Sequence, residues 1–85
     1  GFATVNIVSI EHSDAVAGAL HDAGFGATRS IGEGTTGQVG LVWAVVLRKQ
    51  VDQVVKLVNA VDEKAFVTIN ETRSVSQGFL GYGKS

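Results

Sequence analysis

The residues of this chain that could do chemistry gather around its glycines. Gly32, Gly34, Gly37 and Gly40 fall within one short stretch, with Thr35 and Thr36 between them and Arg29 just upstream. Backbone amides of a glycine-rich turn can approach an anion closely, and hydroxyls and a guanidinium can complete its shell. Arg48 and Lys49 close the apolar run that follows, so Arg48 is the second cation offered to such a site. The expected ligand set is Arg29, Gly32, Gly34, Thr35, Thr36, Gly37 and Arg48, holding a small anionic molecule. The alternative is a plain connection between two strands, and Glu33 inside it would repel a phosphate. Gly32 to Gly37 also matches the spacing of a dinucleotide fingerprint, but that motif must open a helix and a strand follows here. No Gly-Lys-Ser/Thr completes a Walker A loop.

Other chemistries find little material. His12 and His21 stand too far apart along a helix to share a zinc ion, and with no cysteine no thiolate site exists. His12, Ser13 and Asp14 are chain neighbours and cannot face one another in triad order. The expectation is no enzyme, no metal and no cofactor. Seven basic against eight acidic residues give a charge of -1, which offers no field for nucleic acid. Asn6 and Val8 stand where an RNA-binding sheet would carry aromatics.

The elements that must position these residues follow from periodicity. Phe2 to Ile10 alternates as a strand, with Ala3, Val5 and Ile7 on one face and Thr4, Asn6 and Val8 on the other. Ser13 reads as an N-cap for a helix whose stripe is Val16, Ala19, Leu20 and Ala23, ended by Gly24. Gly26 to Ile31 reads as a weaker strand and Gly32 to Gly40 as a loop. Val39 to Arg48 then forms a strand that is apolar on both faces. Val51, Val54, Val55, Val58 and Val61 make a second helical stripe, and Ala65 to Val75 a last strand. The order βαββαβ predicts an α+β, ferredoxin-like fold: a four-stranded antiparallel sheet with both helices on one face. The other face is then bare. Val42, Ala44 and Val46, with Val8, are the residues expected on it, forming an interface between copies in a homo-oligomer. Trp43 is expected in the core.

The domain is expected to span residues 1–76, with a glycine-rich tail, 77–85, as a short edge strand or without structure. Eighty-five residues without a methionine suggest a domain cut from a longer protein. The longest apolar run, Val39 to Leu47, is far short of the roughly 20 residues of a membrane helix. No leader is visible, and the chain itself is expected to be soluble.

A set of spaced features extends over nearly all of this sequence. Gly24-Phe25-Gly26-Ala27-Thr28 precedes the turn at Gly32-Glu33-Gly34, and a strand ends in Leu47-Arg48-Lys49. Asp62, the strand entry Ala65-Phe66-Val67, Arg73 with Val75, and Gly78-Phe79 follow. The pattern resembles the bacterial domain-of-unknown-function 2179 family, which follows multi-span membrane segments in YitT-type proteins and a related uncharacterised family. The resemblance implies a module on the cytoplasmic face of the cell membrane, attached to N-terminal membrane spans. Two functions stay open: a regulatory module sensing a small anionic effector at a subunit boundary, or a purely structural oligomerisation domain. Convergence of the glycine stretch and Arg48 at a boundary would favour the first.

Overall fold

The computed structural model describes residues 1–72. Its elements run β1 (Phe2–Ser9), α1 (Ser13–Asp22), β2 (Thr28–Gly34), β3 (Gly37–Leu47), a 3-10 turn (Arg48–Gln50), α2 (Val51–Val61) and β4 (Phe66–Thr72). All neighbouring strands are antiparallel, in the order β2-β3-β1-β4. Both helices cover one face, which is the ferredoxin-like arrangement that the element order predicts. The expected continuation of β4 to Val75 and the tail 77–85 lie outside the described residues.

The core forms where one parity of the central strands meets the two helices. Val5 and Ile7 of β1 and Val42, Ala44 and Val46 of β3 pack against Val16, Ala17 and Leu20 of α1 and Val54 and Val58 of α2. Ala3, Val5 and Ile7 do point together, and β1 alternates half-buried and buried along its length. Val54 and Val58 form the buried seam of α2, flanked by half-buried Val51, Val55, Leu57 and Val61. Valine is a modest helix former, so packing of this face stabilises α2 more than propensity does.

Three expectations are corrected. Val42, Ala44 and Val46 are core residues, exposed by only 1%, 2% and 4%, whereas Trp43 and Val45 are exposed by 39% and 49%. A period of two separates the faces of β3 without saying which is inner. The ladder decides: Val42, Ala44 and Val46 stand opposite Ile7, Val5 and Ala3, on the side the helices cover. Trp43 is therefore a surface residue rather than a core one.

The second correction concerns Gly32 to Gly40, which is a hairpin and not a loop. Gly34 pairs with Gly37, and only Thr35 and Thr36 turn the chain. The third concerns Ser13. It is the first helical residue, after an N-cap at His12 that has no side-chain cap bond, and its own hydroxyl accepts a hydrogen bond from Arg29 Nε at 2.9 Å.

The end of α1 follows the expected form. Gly24 has φ +91°; its amide donates to His21 O and the Phe25 amide to Leu20 O. This pair of bonds is a Schellman cap, and it delivers buried Phe25 to the core.

Candidate functional site

The face of the sheet away from the helices carries the second parity of every strand. Ladder partners share a face, so its rows can be read directly from the register. Thr28, Trp43, Asn6 and Thr68 form one row across all four strands, and Ser30, Leu41, Val8 and Phe66 the next. Val45, Thr4 and Asn70 make a third. Phe66 is 65% exposed, and Leu41, Val8 and Leu47 are half-buried. The apolar part runs diagonally over Leu41, Trp43, Val45, Val8 and Phe66, bordered by threonine, serine and asparagine.

The glycines of β2 belong to this face. A Cβ on Gly32 would stand 3.2 Å from Leu41 Cδ1, and one on Gly34 would stand 3.0 Å from Val39 Cγ1. The side chains of β3 thus lie across bare backbone on the edge strand, and the glycine richness is explained by packing. Gly40 points the other way. A Cβ there would overlap Ser13, about 2.0 Å from its Oγ, and would come within 2.9 Å of Ser9 O.

The expected anion site is dispersed within one chain. Arg29 is the second residue of β2, opposite Val42, with Nε committed to Ser13. Gly32, Gly34, Thr35, Thr36 and Gly37 form the hairpin end, all but half-buried Gly32 exposed. Arg48 follows the far end of β3, eleven residues from Gly37, about 35 Å along an extended strand. Its guanidinium pairs with Glu71 at 3.2 Å, both side chains exposed, a contact that contributes at most about 1 kcal/mol. Arg48 also borders an open cleft of about 730 Å³ with Lys49, Asp52, Ile69 and Glu71. Two acidic groups there offset the two basic ones. His12 and His21 lie at opposite ends of α1, and His21 Nε2 is 2.9 Å from Ala27 O, which it meets as a donor.

One buried polar contact was not visible in the sequence. Ser9 Oγ donates to Asp62 Oδ2 at 2.6 Å and accepts from the His12 amide at 3.1 Å. The Lys64 amide donates to Asp62 Oδ1 at 3.0 Å. This staple ties the end of β1 to the turn between α2 and β4. The Ser9 hydroxyl holds the Asp62 carboxyl below the ordinary aspartate range; burial opposes this, while the Lys64 amide and the charges of His12 and Lys64 add to it. A carboxyl lowered by folding stabilises the fold above its unfolded value, about 3.9, and that contribution is lost as pH falls through the folded value. Asp62→Asn should therefore be less stable than the parent chain at neutral pH, with the gap narrowing below about pH 4. Thermal melts at pH 7 and pH 3 check this, and a gap independent of pH would contradict it.

Among the described residues, no helix is long and apolar enough to cross a membrane. Residues 25–77 match the family model described as "Uncharacterized protein conserved in bacteria (DUF2179)". A UPF0316 protein of Leptospira interrogans is 34% identical over 86% of this chain, which spans only 37% of that relative. A crystal structure of a functionally unknown protein from Pediococcus pentosaceus superposes with TM-score 0.79 at 11% identity, covering 88% of this chain and 94% of that one. A DUF2179 protein from Eubacterium ventriosum superposes with TM-score 0.67 at 22% identity, covering 82% and 99%. At these identities the two structures establish the fold alone.

Proposed function

Because this chain belongs to the DUF2179 family, we propose that it is a non-catalytic regulatory module that acts by docking through its open sheet face, as part of a longer membrane protein. The observation that carries the reading is the exposure of Trp43, Val45 and Phe66 together on that face. An isolated exposed apolar residue is ordinary, but a contiguous patch bordered by polar groups marks an interaction site. The membrane setting and its cytoplasmic side rest on the family resemblance and on the greater length of the relatives.

The chain contains no cysteine, so single thiols can be placed at will. In a full-length parent otherwise freed of thiols, an Asn6→Cys variant should react with maleimide at least about tenfold more slowly than a Gln53→Cys variant. Asn6 lies at the centre of the face and Gln53 is exposed on α2. Equal rates would remove the docking reading. An impermeant maleimide that modifies Gln53→Cys only in inside-out vesicles would support the cytoplasmic side, and modification in right-side-out vesicles would oppose it.

The effector form of this reading keeps a small anion between subunits. It is supported by the placement of the hairpin and Arg48 at opposite ends of one sheet, since a two-fold axis across the strands brings the hairpin of one copy to Arg48 of another. Citrate, used as the probe, should then raise the melting temperature of the chain and fail to do so for Arg48→Ala. No shift for either would leave the docking function without a ligand.

A further inference from the structure

We infer that the occupant of the open sheet face is a second copy of this chain, paired about a two-fold axis. The inference rests on the docking reading above and names its partner. Three properties of the face carry it.

The first is charge. The ionisable side chains on the described strands are Arg29, Glu33 and Glu71, and all three fall on the helix-side parity, opposite Val42, Gln38 and Ala3. A two-fold axis sets residues near it against their own copies, so a charged group there meets its like. This face has none to oppose. Among the described residues of the face, an unlike protein recognised through complementary charge would have nothing to read, and an anionic lipid surface would find no lysine or arginine.

The second property is the set of polar groups, Asn6 at the centre and Thr28, Ser30, Thr68 and Asn70 around it. Each carries both donor and acceptor capacity. Such groups can bond to others of their own kind, which a self-pairing interface requires. The third is area. Four strands about 4.8 Å apart and about seven residues long cover roughly 450 Å² of sheet plane. With side-chain relief counted, two copies together bury about 1,000 Å², where specific interfaces begin.

Sedimentation of the 85-residue chain should show a dimer at about 100 μM, with Val45→Lys raising the dissociation constant by more than about 30-fold, as for a central interface residue. Under mild oxidation the Asn6→Cys variant should give a disulfide-linked dimer, and Gln53→Cys should not. Monomer throughout, or equal cross-linking from both positions, would overturn the inference. If the chain is monomeric while Asn6→Cys stays protected in the full-length parent, the second copy is excluded and docking onto another partner survives. If Asn6→Cys is unprotected in both settings, the docking reading falls as well.

Discussion

Val42→Lys should abolish the cooperative fold, whereas Val45→Lys, three positions along the same strand, should leave it intact. Val42 is 1% exposed and belongs to the core formed by β1, β3 and the helices. A lysine there either loses its charge, because burial drives its pKa down, or forces the helices off the sheet. Either course costs several kcal/mol, and overpacking adds about 1–3 kcal/mol. A domain of this size is stable by only about 4–13 kcal/mol. Val45 is 49% exposed on the open face, where an ammonium keeps its water and the cost stays near 0.5 kcal/mol. Circular dichroism melts separate the two variants. Equal losses would contradict the two-faced description of β3, and a larger loss from Val45→Lys would mean that its faces have been assigned the wrong way round.

Gly40→Ala should also destabilise the fold strongly. The added Cβ would overlap Ser13 and press on Ser9 O, where α1 begins almost in contact with β3. Overpacking of this kind costs about 1–3 kcal/mol or more, which for a domain of this length lowers the melting temperature by roughly 4–8 °C per kcal/mol. Ser13→Gly in the same chain should recover part of the loss by clearing both Oγ and Cβ. Ser13→Ala should recover less, since its Cβ would still stand about 2.1 Å from the new one. If Gly40→Ala alone melts like the parent chain, helix and strand are not in the contact described.

Most of the fold was legible because it depends on local pattern. Alternation along β1, the valine stripe of α2 and Gly24 after α1 each report a backbone choice made within a few residues. What was not legible depends on pairing across the chain. β3 is apolar on both faces, and its parity is set only by the register that puts Val42 opposite Ile7 and Trp43 opposite Asn6. A usable signal was present: Thr4 and Asn6 in β1 and Thr68 and Asn70 in β4 mark the outer face, and the antiparallel ladder carries that parity to Trp43. The glycine stretch misled for a related reason. Composition equates four glycines with a loop, but Gly32 and Gly34 lie under β3 side chains and Gly40 makes room for Ser13. The Ser9–Asp62 staple joins residues 53 apart, beyond the reach of any local spacing.

The chain contains a single tryptophan, and it lies in the central row of the open face. Trp43 emission and acrylamide quenching, followed from about 1 μM to about 100 μM across the range of a micromolar association, report directly on whether that face is covered. Pairing through the sheet predicts a blue shift and lower quenching as concentration rises, with far-ultraviolet circular dichroism unchanged. Emission and quenching that stay constant over that whole range would contradict pairing through the sheet.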